Sequence, residues 1–212
     1  MNELEIYGEA EFDYILYTPK DYDGVKKYPI LFFLHGAGER GDDLNLVKHH
    51  GVSRLFEEGK TLQAVVVCPQ CKAEKTWNSD PVKLKKFFDR MIEKYAVNAD
   101  MVSITGLSMG GFGTWQMIMD YPEFFSAAAP VCGGGLSWRA YRAKDLPIRI
   151  FHGEMDNVVP AFYSKEFYRV LQENGAKDTT LTLYPTLWHN CWDEAYGETD
   201  VLEWLISKKR NS

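Results

Sequence analysis

Short apolar runs alternate along this chain with segments whose apolar residues return every three or four positions. Runs at residues 12–17, 30–34, 64–68, 102–105, 127–131, 148–151 and 181–184 read as strands. Several, such as "ILFFL" and "AVVVC", are apolar at nearly every position. That is the pattern of strands buried on both faces of a parallel sheet, not of a sheet with one wet face. Helical segments lie between them. Asp80-Pro81 reads as an N-cap and a first-turn proline, and Leu84, Phe88, Met91 and Tyr95 follow at helical spacing. Residues 109–120 form a second predicted helix, and 164–173 a third, stopped by Asn174-Gly175. A last helix at 199–208 turns Leu202, Leu205 and Ile206 inward, with Lys208, Lys209 and Arg210 at its negative end. Strand–helix alternation over the whole length predicts one α/β domain over residues 1–212, with helices on both faces of a mostly parallel sheet. Sites in such sheets form beyond the carboxyl ends of the strands.

The stretch "VSITGLSMGGFGTW" has that placement. A strand runs into Gly106-Leu107-Ser108-Met109-Gly110, and a helical pattern starts at Met109. The glycines on either side of Ser108 permit a sharp, strained turn that exposes the serine Oγ. The helix N-terminus adds N–H groups and a positive dipole end. Ser108 is the predicted nucleophile; the plainer reading is a small Ser-Gly turn packing a helix on a sheet.

A nucleophilic serine needs a base, and the base needs an orienting carboxylate. On a strand–turn–helix elbow both follow later, in the order acid then base. Two histidines lie downstream. His152, in "FHGEMDNVVP", precedes its own candidate acids and reads as a packed strand-end residue. His189, in "YPTLWHNCW", follows the last predicted strand and is the predicted base. Asp156 is the predicted acid, with Glu154 in reserve, and Asp193 reads as capping a turn.

Upstream, "LFFLHGAGERGDD" puts a glycine-rich loop after a central strand. It lacks the Lys-Ser/Thr ending of a phosphate-binding loop. Its glycines at 36, 38 and 41 match a dinucleotide spacing, but no helix follows at once. The remaining anion is an oxyanion, bound by main-chain N–H groups of this loop and of the residue after the nucleophile. Met109 is the second predicted donor, and Ala37, with Gly38 close behind, the first. Glu39 and Arg40 either brace the loop or, for Arg40, reach the substrate.

Together, "HGAGERGDD", "ITGLSMGGFGTW", "HGEMDNVVP" and "WHNCWDEAY" resemble the α/β-hydrolase superfamily, from about Phe12 to Ile206. The branch is similar to small carboxylesterases such as feruloyl esterases, polyhydroxybutyrate depolymerases and predicted peptidases. The resemblance implies cofactor-free cleavage of carboxylic esters by Ser108, Asp156 and His189, with Ala37 and Met109 as oxyanion donors. Trp188 stands where relatives often carry glycine before the catalytic histidine. Trp77, Trp188 and Trp192 are expected to line the site as aromatic walls, with Trp138 a weaker candidate. Spacings between strands leave no room for a large lid, so small soluble short-acyl or aromatic esters are the expected substrates. The same residues suit a peptidase or thioesterase, and a fold kept for binding alone is the third reading.

Composition narrows the rest. The formal net charge of −6 speaks against nucleic acid as a partner. No stretch is long and apolar enough to span a bilayer. The N-terminus has acids where a signal peptide needs bases, which predicts a cytoplasmic protein. Cys68 and Cys71 have C-x-x-C spacing, but no second pair completes a zinc site, and His49-His50 lacks a ligand set. No metal or cofactor is expected.

Overall fold

The computed structural model describes residues 1–8 and 12–210. Eight strands form one sheet: β1 (Asn2–Ile6), β2 (Tyr14–Thr18), β3 (Tyr28–Leu34), β4 (Val65–Pro69), β5 (Val97–Leu107), β6 (Ala127–Val131), β7 (Ile148–Gly153) and β8 (Thr179–Tyr184). Their spatial order is β1-β2-β4-β3-β5-β6-β7-β8. β2 runs antiparallel to β1 and β4, and the pairs from β4 through β8 are parallel. The helices are α1 (Gly51–Glu57), α2 (Pro81–Lys94), α3 (Met109–Asp120), α4 (Phe162–Glu173), α5 (Trp192–Gly197) and α6 (Val201–Ser207). This is the α/β-hydrolase fold.

Alternation along β3 shows why its run is wholly apolar. Ile30, Phe32 and Leu34 enter a core with Phe88, Trp115 and Phe167 of α2, α3 and α4. Leu31 and Phe33 enter the opposite core with Val52, Tyr196 and Leu202 of α1, α5 and α6. Side chains alternate across a strand, so a sheet covered on both faces needs apolar residues at every position. Register carries the strand ends to one level: Leu34 pairs with Gly106, Leu107 with Val131, and Val131 with Phe151.

The predicted helices recur with small shifts. Asp80 caps α2 by accepting from Lys83 N at 2.9 Å. The helix predicted at 199–208 is α6, two residues shorter at its start. The strand predicted at 12–17 is β2, displaced toward Thr18. Pattern reading missed β1, α1 and α5. β1 is an exposed edge strand, "NELEI", whose two alternating apolar residues, Leu4 and Ile6, are too few to establish a period. Lys48 Nζ, 2.6 Å from both Glu3 and Glu5 Oε1, ties it to the body. α1 and α5 are only seven and six residues long, too short to show a period. Among the described residues no helix is long and apolar enough to cross a membrane.

Candidate active site

β5 ends at Leu107 and α3 begins at Met109, so Ser108 alone makes the turn. Its φ of 53° and ψ of −117° are strained for a residue with a side chain. Ser108 N donates to Val131 O at 3.0 Å, which ties the turn to β6. Gly110 lets α3 descend onto the sheet: a Cβ there would meet Leu34 O at 1.8 Å. The sequence "GLSMG" is thus two close approaches around one strained serine.

His189 lies in the loop after β8. Its Nε2 is 2.8 Å from Ser108 Oγ and its Nδ1 2.6 Å from Asp156 Oδ2. Asp156 is buried in the loop after β7. Its Oδ1 accepts from Val158 N and Val159 N, both at 2.9 Å. With two amides on one oxygen and an imidazole on the other, the carboxylate has a single orientation. Glu154 points elsewhere, to Lys165 Nζ at 3.0 Å, and so stays out of this row. Asp193 sits in the first turn of α5 and pairs with Arg54 at 3.3 Å, rather than capping a turn through its side chain.

His152 is a packed histidine. Its Nε2 is 2.8 Å from Val159 O, an acceptor, so that nitrogen carries the proton. Its Nδ1 then accepts from Ser164 Oγ at 2.7 Å. Burial pushes its pKa below the ordinary value, keeping the ring neutral. The same Nε2 lies 3.2 Å from Asp156 Oδ2, so His152 helps fix the acid. Cys132 is the other neighbour that sequence reasoning missed. Its donor atom, with those of Asp156 and His189, falls within a 4.8 Å cluster. Burial holds the Cys132 thiol protonated, and the other two groups are hydrogen-bonded to each other. Cys132 follows β6 with a positive φ of 40°, which sequence does not report.

The glycine-rich loop lies against the elbow, since a Cβ on Gly36 would come 3.7 Å from Ser108 Cβ. Ala37 opens a 3₁₀ turn, Ala37–Glu39, and Met109 opens α3. Amides at these positions have no partner within their own helix. The loop is held from several sides. Gln70 Nε2 donates to Glu39 O at 2.9 Å and Asp43 O at 2.8 Å. His35 Nε2 accepts from Cys71 N at 3.0 Å, so its Nδ1 carries the proton and donates to Gly36 O at 2.6 Å. The segment "CPQC" therefore serves the loop through Gln70 and a backbone amide. Its two thiols enter opposite cores, Cys68 in one and Cys71 in the other, and burial pushes them up to about 12 and about 11. Neither thiolate nor disulfide fits that placement.

Two of the expected substrate contacts have other partners in the structure. Trp77 is 2% exposed, and its Nε1 donates to His35 O at 2.9 Å. It props the loop from below. The cleft of about 310 Å³ beside it is lined by residues such as Phe12, Lys72 and Lys83, and Ser108 is not among its walls. A large aromatic near a site is as useful beneath it as in it, and sequence does not separate the two. Arg40 donates from Nε to Ala37 O at 2.9 Å and from Nη1 to Lys75 O at 3.3 Å. It braces the loop. Trp188, 49% exposed, does flank His189 at the surface. Trp192 is partly buried, its ring edge-on to His189 at 5.4 Å. Trp138 is exposed on the 3₁₀ segment Ser137–Ala143 after β6.

A serine on such an elbow, at the carboxyl ends of a mostly parallel sheet, defines the serine hydrolases of α/β-hydrolase fold. The chain matches the phospholipase/carboxylesterase family over residues 69–200 and belongs to it. It is similar to a thermostable esterase of known structure, with 31% identity and a TM-score of 0.82, over 99% of this chain and 63% of that one. An uncharacterized secreted protein of Arthroderma benhamiae is 27% identical over 205 residues, 73% of this chain and 20% of that protein. The bifunctional acetylxylan esterase/xylanase of Neocallimastix patriciarum is 24% identical over 75% of this chain and 23% of its own length. The chain thus spans under a quarter of these two curated relatives.

Proposed function

We propose that this protein hydrolyses small carboxylic esters through an acyl-enzyme on Ser108. The observation that carries this is the row Ser108 Oγ, His189 Nε2, His189 Nδ1 and Asp156 Oδ2, with spacings of 2.8 and 2.6 Å. Ser108 attacks the ester carbonyl while His189 takes its proton, and Asp156 keeps the Nδ1 proton in place. The N–H groups of Met109 and of Ala37 or Gly38 receive the oxyanion. The alcohol leaves with the proton from His189. Water, activated by the same imidazole, then frees the acid. Small acyl or aromatic groups suit this centre: Trp192 sets its ring edge-on to His189 at 5.4 Å, and Trp188, next to His189 in the chain, is exposed.

The test is a substrate panel. p-Nitrophenyl esters of rising acyl length are expected to show highest kcat/KM at short chains, with feruloyl and acetylated-sugar esters also cleaved. Faster turnover of peptides or thioesters than of every ester would assign the same residues to another leaving group.

A further inference from the structure

The proposed chemistry leaves Glu39 and His50 without a part. Glu39 closes the 3₁₀ turn under the oxyanion loop, and its side chain is 6% exposed. Its Oε2 nevertheless has no hydrogen-bond partner among the described residues. The facing His35 Nδ1 is 3.7 Å away and already donates to Gly36 O. A Cβ on Gly36 would stand 3.0 Å from Oε2 and 3.7 Å from Ser108 Cβ, so Glu39 and the elbow both border Gly36. The other oxygen, Oε1, faces His50 Nε2 at 3.8 Å.

His50 precedes α1 and is 46% exposed. Its ring lies 5.7 Å from that of Trp192, which in turn meets His189. Glu39, His50 and Trp192 therefore form one margin of the centre, with Gly36 beside the elbow at one end and the base at the other. Other charges at this margin are committed: Arg54 pairs with Glu58 and Asp193. Burial alone raises the Glu39 carboxyl, but the imidazoles of His35 and His50 bring it below the usual range, so it is an anion at neutral pH.

An anion beside His50 Nε2 favours the tautomer with its proton there. Nδ1 is then a free acceptor on a half-exposed ring. The leaving alcohol takes its proton from His189, and Trp192 joins His189 to this margin. We propose that His50, oriented by Glu39, is a specificity residue for the alcohol: its Nδ1 accepts a hydrogen bond from a hydroxyl near the scissile oxygen, in glyceryl or similar polyol esters, while Trp192 covers the carbon face. This rests on the esterase reading of Ser108, Asp156 and His189.

The test compares glyceryl monobutyrate with ethyl butyrate, which share an acyl group, on the full chain by proton release. His50→Phe is expected to lower the glyceryl-to-ethyl ratio of kcat/KM roughly tenfold, the size of one lost hydrogen bond, mainly through KM. His50→Gln, whose amide can donate to Glu39 and still accept, is expected to restore most of the ratio. An unchanged ratio in His50→Phe, whether both rates fall together or neither falls, overturns the proposal and leaves the esterase reading standing. A wild-type chain that cleaves neither these esters nor p-nitrophenyl acetate overturns both.

Discussion

Ser108→Ala is expected to lower kcat on a p-nitrophenyl ester by roughly 10⁵–10⁶-fold, with the protein still folded. Among the described residues no other hydroxyl is hydrogen-bonded to His189, whose Nε2 meets Ser108 Oγ at 2.8 Å. Alanine keeps the backbone as it is: a β-carbon remains at φ 53°, so the strain of the elbow stays and is not exchanged for a new conformation. The Ser108 N bond to Val131 O is also untouched. Labelling by a fluorophosphonate should vanish in the variant, while thermal melting should move little. Labelling that persists in Ser108→Ala would place the nucleophile elsewhere.

Asp156→Asn is expected to cost about 10⁴-fold in kcat with KM little changed. The reason is donor and acceptor inventory. Oδ1 receives the amides of Val158 and Val159, so an asparagine keeps its carbonyl oxygen there. Its NH₂ then faces His189 Nδ1, which must become an acceptor. The imidazole proton moves to Nε2, where it points at Ser108 and cannot take the serine proton. The NH₂ also meets His152 Nε2–H, near 3.2 Å from this position, which adds a donor–donor conflict. Stability should fall as well, by about 1–3 kcal/mol, as for a buried donor left unpaired. A variant within a few fold of wild type in kcat would remove Asp156 as the orienting acid. Glu154 is no ready substitute, since it is exposed and paired with Lys165.

Much of the fold was legible along the chain. "ILFFL" and "AVVVC" announce strands covered on both faces, and those strands lie at the centre of the sheet. Asp80-Pro81 announces α2 because capping is chemistry between near neighbours. β1 was missed because an edge strand this short shows only two alternating apolar positions, Leu4 and Ile6, beside charged ones.

The candidate site divides along the same line. The sequence by itself determined the elbow around Ser108, the order of Asp156 before His189 downstream of it, and the glycine-rich loop, because each rests on residue type and local spacing. Only the tertiary structure decided that Trp77 lies beneath the loop and Arg40 braces it, that His152 packs behind Asp156, and that Glu39 meets His50 beside Trp192. Those outcomes depend on which faces meet across the sheet ends, between residues as distant as His50 and Trp192. The physical reason is that spacing records what a residue does to its neighbours along the chain, whereas burial and orientation are set by segments that become neighbours only on folding.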